Sequence, residues 1–307
     1  MKKPLYLRRI RRERINSKHS LFAIPGLLIL IATVGGALLF NFYYSFTRWI
    51  GFGTPHWVGL RNYRYMFQNP DVRETALHAV LTIIPYSIIP TFLGCFLAAI
   101  LFEYISPRFG EAIASRFRGI FYLPQIVPLA MTGVVWNWLL DSKTGLLNQY
   151  LHDHGAKWHI AWMEKPLATQ LIFALILIWL QLGFTLLIFI AGLSRIDTNI
   201  LEAAQIDGAT WFTQFRLILI PLLRNEIAIV LLTTSISSLK IFAPVYWISH
   251  GGPNNATQVP STYVFHQFYN GSNVGSAASI ATVFALMVGV FTAALMKFQQ
   301  RPHVVKI

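Results

Sequence analysis

Six long apolar runs, separated by polar and turn-rich segments, set the pattern of this chain. They cover roughly 21–46, 77–102, 117–140, 168–193, 225–249 and 276–298. Each is long enough to cross a hydrocarbon core of about 30 Å as a helix. Backbone N–H and C=O groups in hydrocarbon need internal partners, and a helix supplies them within one segment. A membrane barrel would instead need alternating segments of about ten residues. The run LIFALILIWL at 171–180 is apolar without alternation. The pattern therefore predicts an all-α integral membrane protein with about six transmembrane helices. The first run exceeds the apolar core of a signal peptide, about 7–15 residues, and no small-residue cleavage site ends it. It reads as an uncleaved first span. Pro85, Pro90, Pro124, Pro128 and Pro244 fall within or beside the runs and predict kinks there.

Composition agrees. Of 307 residues, 55% are hydrophobic and 12% charged, against about 25% charged in soluble domains. Mean hydropathy is +0.52. The net charge of +13 raises the question of nucleic acid, but eight of the 25 basic residues lie in the first 20 positions. No similar basic stripe follows, so the tail reads as a cytoplasmic anchor and nucleic-acid binding is not expected. With the N-terminus inside, inner segments carry 17 Lys and Arg and outer segments seven, with Lys240 inside the fifth run. That excess places both termini in the cytoplasm of a multi-pass protein. Trp49, Trp57, Trp158 and Trp162 fall near the expected outer boundaries, where indole rings favour the interface. The expected division is a basic tail at 1–20, a membrane domain at 21–298 and a C-terminal tail at 299–307. Cys95 is the single cysteine and sits in an apolar run as small filler. No internal repeat is evident, which suits a chain that builds half a pore.

The segment 199–224, NILEAAQIDGATWFTQFRLILIPLLR, is too polar to span and too patterned for a plain loop. LEAAQID is rich in helix formers, and Gly208 is a natural break. A second helical piece is expected after Thr210, with Pro221 marking the turn into the fifth span. Leu201, Ala204, Gly208, Phe212, Phe215 and Leu219 approximate one apolar stripe. Taken alone, these features also describe an amphipathic helix at the membrane surface.

The same stretch resembles the EAA motif of binding-protein-dependent ABC importer permeases. The matching residues are Glu202, Ala203, Ala204, Asp207, Gly208, Ala209, Phe215, Ile218 and Pro221. Ile220 stands where the motif usually has Leu, and Asn225 where sugar permeases often have Pro. WVGLRNYRYMF (57–67), FRGIFYLPQIVPLAMTGVVWNWLLDSKTGLLN (117–148) and LKIFAPVYWISHGGP (239–253) are similar to further parts of the sugar-type branch, relatives of maltose and glycerol-phosphate permeases. Ala243 replaces an Asp common in that branch. The resemblance implies a cytoplasmic coupling helix, between spans four and five, that docks in a cleft of an ATPase subunit. Glu202 would face basic residues there, Ala203 and Ala204 would allow close approach, and Gly208 would supply the turn. It further implies a second permease subunit (a heterodimer is expected), two ATPase subunits carrying ATP and Mg, and an extracytoplasmic solute-binding protein. A prokaryotic cytoplasmic membrane follows from the same resemblance.

The residues themselves hold no G-x-x-x-x-G-K-[ST], H-E-x-x-H or G-x-S-x-G. The chain is expected to be no enzyme and to bind no cofactor. His152, His154 and His159 cluster in one loop without persuasive metal-ligand spacing. The acids Glu103, Asp141 and Glu226 lie near span ends, which disfavours cationic cargo and an ion-coupled secondary transporter. Neutral polyols need hydrogen-bonding side chains and aromatic faces. Asn137, Trp179, Gln181, Thr185, Ser235, Ser237, Lys240 and Tyr246 are the path candidates, and they favour a mono- or oligosaccharide, with glycerol phosphate or another polyol-like solute as the alternative. For the hydroxyls, bonding to a helix carbonyl is the competing role. A mid-bilayer Lys240 would cost about 2.5–3.5 kcal/mol unless it faces protein or water, or snorkels from a shorter span.

Overall fold

The computed structural model describes Phe22, residues 24–155 and residues 160–299. The expected tail at 1–20, residues 300–307 of the C-terminal tail, Trp158 and His159 lie outside them. In chain order, α1 (Ile24–Ser45) leads into a two-stranded antiparallel ladder, β1 (Thr47–Arg48) against β2 (His56–Trp57). Then come α2 (Arg61–Gln68), α3 (Pro70–Phe109), α4 (Glu111–Ile126), α5 (Leu129–Leu139) and α6 (Leu146–Asp153). The remainder is α7 (Pro166–Leu193), α8 (Thr198–Ile206), α9 (Trp211–Leu222), α10 (Arg224–Leu239), α11 (Pro260–Tyr269) and α12 (Val274–Gln299). Among the described residues, α1, α3, α7 and α12 are long and apolar enough to cross a membrane. The bent pairs α4–α5 and α9–α10 bring the total to six if each is one span.

Three runs differ from their expected limits. The second becomes a 40-residue helix. Asn69 caps its start by accepting the Asp71 N–H at 2.9 Å, and Pro70 occupies the first helical position. Pro85 and Pro90 do not break it, because a π-helical turn at Ile84–Ile88 absorbs the misfit. The third run is two helices meeting at 93°. Val127 is extended ahead of Pro128, as the residue before proline prefers. The fifth run stops being helical at Leu239, and a separate π-helical turn at Val245–Ser249 follows Pro244. Lys240 is therefore an exposed C-cap at the end of α10. Its charge sits where a helix terminus favours a cation.

Helices α3, α7 and α10 form the core, packed through small residues in the manner of membrane bundles. A Cβ at Gly94 would collide with Thr185, and one at Gly183 would collide with the Phe121 carbonyl and lie 2.7 Å from Tyr122 Cα. Successive spans alternate in direction. The segments 46–69, 140–165 and 240–273 thus share one end, tied by Val274 N–H to the Trp49 carbonyl (2.9 Å) and Gln170 Nε2 to the Ala256 carbonyl (2.8 Å). The elbow at 194–223 lies at the other end, flanked by the Arg195–Glu226 ion pair at 2.6 Å.

Candidate functional site

The elbow is built from two capped helices. Asp197 is non-helical and its carboxylate accepts the Asn199 N–H at 3.0 Å, which starts α8. Gly208 ends the segment by taking φ 79°, a conformation that glycine enters without a Cβ penalty. The freed carbonyls are filled by Gly208 N–H to Gln205 (3.0 Å) and Ala209 N–H to Ala204 (2.9 Å). Thr210 caps α9 in turn. Buried Gln214 donates to the Ala209 carbonyl at 2.9 Å and pins the turn from within.

One face of α8 is anchored and the other is free. Leu201 is buried in a cluster with Ala98, Leu101, Phe189, Leu193 and Leu219, drawn from α3, α7 and α9. Glu202, Ala203, Asp207 and Gly208 are exposed, Ala204 is half-buried, and Ile206 is 87% exposed. The expected single apolar stripe is therefore corrected. Leu201 and Leu219 are buried, but Gly208 and Phe212 are exposed, because the Gly208 turn rotates α9 relative to α8. Trp211, which the sequence reading did not single out, wedges α9 against α3. Its ring stacks on Phe215 and meets Phe96 edge-on at 5.6 Å. Its position directly after the helix cap was the available signal.

The path candidates separate into two groups. Thr185 is fully buried and donates to the Pro90 and Leu182 carbonyls, both at 2.9 Å. Ser235 joins Ser87 at 3.0 Å, and Ser87 joins Thr234 at 2.6 Å, so these hydroxyls tie α3 to α10. Gln181 is buried on α7. Ser237 is exposed but bonds the Thr233 carbonyl of its own helix. Asn137, Trp179 and Tyr246 gather instead around the 245–249 turn. Asn137 donates to the Ile248 carbonyl at 2.8 Å and Trp179 meets Trp136 edge-on at 5.5 Å. Tyr246 contacts the Phe242, Trp247 and Phe265 rings at 5.0–5.4 Å. These rings and the Asn137 amide form a partly exposed aromatic surface that runs from the middle of α7 toward the end of the molecule away from the elbow.

Comparison with known proteins places this geometry. The chain is 31% identical over 273 residues to the probable ABC transporter permease protein PH1215 of Pyrococcus horikoshii, covering 87% of this chain and 90% of the relative. It is 28% identical to the trehalose/maltose transport system permease protein MalF of Thermococcus litoralis, covering 90% and 92%. Its fold matches a chain of the crystal structure of a bacterial alginate ABC transporter in complex with alginate pentasaccharide-bound periplasmic protein, with TM-score 0.76, 19% identity and 93% of each chain covered. Residues 108–304 match the family described as binding-protein-dependent transport system inner membrane component, and the chain belongs to that family.

Proposed function

We propose that this ABC importer permease subunit moves a carbohydrate across the cytoplasmic membrane, driven through α8 by a separate ATPase subunit. The observation that carries the reading is the two-sided elbow. One face of α8 is locked through Leu201 into the spans, while the face with Glu202, Ala203 and Asp207 is open. A helix held this way passes a push from its free face to α3, α7 and α9 as a rigid body. The aromatic surface around Tyr246, Trp247 and Trp179 supports a sugar cargo, since pyranose C–H faces pack on aromatic rings and the hydroxyls find amides. The partners in this reading are a second permease chain, two ATPases that hold ATP and Mg, and an extracytoplasmic binding protein. The termini and the elbow then lie in the cytoplasm.

Two linked measurements test it. Ala203→Cys is expected to cross-link to a co-purified ATP-binding subunit. Vesicles containing that assembly and its binding protein are expected to take up labelled oligosaccharide only with ATP. Absence of cross-links at every position from Leu201 to Gly208, or uptake by this chain alone without ATP, refutes the reading.

A further inference from the structure

At the end opposite the elbow, a cavity of about 310 Å³ lies where the strand-pair segment, α2, the loop 271–273 and the start of α12 converge. Its frame is rigid. Asn62 donates to the Ser45 and Thr47 carbonyls at 2.9 and 2.8 Å, and a Cβ on Gly275 would collide with the Thr47 carbonyl. Arg48 and Arg61 line the cavity, and none of the lining residues is acidic. Among the described residues, neither guanidinium has an ion pair or hydrogen bond. Ser276 also lines it, is 1% exposed, and its Oγ has no hydrogen-bond partner. The cavity wall includes the first turn of the 26-residue α12, whose Val274 and Ser276 N–H groups are already taken by the Trp49 carbonyl (2.9 Å) and the Asn273 side-chain oxygen (3.2 Å). Two guanidinium groups and a hydroxyl without a partner favour a tetrahedral oxyanion.

The rim indicates how that anion arrives. Ile50, Phe52, Trp57, Leu60 and Phe67 are exposed around the strand pair and α2. Large aromatic side chains suit either membrane interface, where rings sit at headgroup level, and guanidinium groups pair well with phosphates. We propose that the cavity holds the phosphate of an anionic phospholipid headgroup between Arg48 and Arg61, with the acyl chains lying along the apolar rim. A free phosphate shares the anion but would leave the rim uncovered.

The test is native mass spectrometry of the transporter extracted from vesicles of phosphatidylglycerol and phosphatidylcholine. The unaltered protein is expected to retain phosphatidylglycerol preferentially. The pair Arg48→Gln and Arg61→Gln is expected to reduce that retention about tenfold, while Arg73→Gln, outside the cavity, leaves it unchanged. Millimolar inorganic phosphate is expected not to displace the lipid. Equal retention by the double variant overturns the proposal, and so does displacement by inorganic phosphate, which would identify a small-anion site. If the double variant does not accumulate in the membrane, Arg61→Gln alone is judged by the same two outcomes.

Discussion

The Trp211 indole N–H and the Glu103 carboxylate are neighbours where α3 approaches α9, yet both are buried and the pair falls short of hydrogen-bond geometry. An unsatisfied buried polar group costs about 1–3 kcal/mol. Trp211→Phe keeps an aromatic ring, though a smaller one, and removes the donor, while Glu103→Gln keeps the shape and removes the charge. Thermal unfolding of the purified complex is expected to shift with each, and the double variant to depart from additivity by about 1 kcal/mol. Strict additivity would show that the two groups are not coupled. The sequence placed Glu103 near a span end but could not place Trp211 beside it, since that depends on how α3 and the elbow come together. The same limit affected Thr185 and Ser235. A hydroxyl in an apolar run looks alike whether it meets cargo or, as here, a neighbouring helix. Asp141 is a residue whose local role is pH-dependent. Its Oδ1 accepts the Thr144 N–H at 2.6 Å, the Thr144 hydroxyl at 2.9 Å and the Lys143 N–H at 2.9 Å. These bonds, the Thr144 N–H first, hold the carboxyl below its ordinary range. A depressed folded value means the turn's stabilisation is complete above the unfolded carboxylate pKa, about 3.9, and is lost as pH falls through the lower folded value. Asp141→Ala is therefore expected to alter protease sensitivity of the 141–145 turn at neutral pH, with the difference from the unaltered protein fading in strong acid. A difference that persists unchanged at the lowest pH would contradict this.

For the elements, the elbow was legible because its instructions are local: helix formers, a glycine and a threonine cap follow one another within a dozen or so residues. The bends were less so. Pro128 marked a kink, but a proline does not state its angle, and Pro85 and Pro90 lie in a helix that continues through a π-helical turn. The end of α10 at Leu239 was masked by the apolar run Ile241 to Ile248, of which Ile241, Val245 and Ile248 are buried outside the helix. The elbow's geometry leads to a graded prediction. Gly208→Val forces a β-branched residue into φ 79° and is expected to cost about 1–2 kcal/mol locally. Asp197→Ala removes a cap worth about 0.5–2 kcal/mol. Both variants are expected to reach the membrane, because the spans are intact, and to lose ATP-driven uptake, with Gly208→Val the more severe. Full uptake with a melted α8, seen as rapid hydrogen exchange over 198–206, would mean that elbow rigidity is not what transmits the push.

The whole molecule presents an apolar exterior that water would not tolerate. No residue in the most apolar window of α1 is buried, and Leu38, Leu39, Leu171, Leu175 and Val290 are all exposed. Such a surface is covered by lipid or by another apolar chain. The bundle has two distinct ends, one carrying the elbow and the other the strand pair, α6, α11 and the aromatic surface. In the proposed orientation, which follows the Lys and Arg count, the elbow end faces the cytoplasm, since basic residues are retained on the inner side. Cys95 is 4% exposed, so the native thiol gives little background to a surface reagent. After Cys95→Ala, single cysteines at Ile206 and Asn270 report on opposite ends, both from exposed positions. In intact cells an impermeant maleimide is expected to label Asn270→Cys at once and Ile206→Cys only after permeabilisation. The reverse order would put the elbow outside, where a cytosolic ATPase cannot reach it. Labelling of both in intact cells would mean that the alternation of spans drawn through the two bent pairs is wrong.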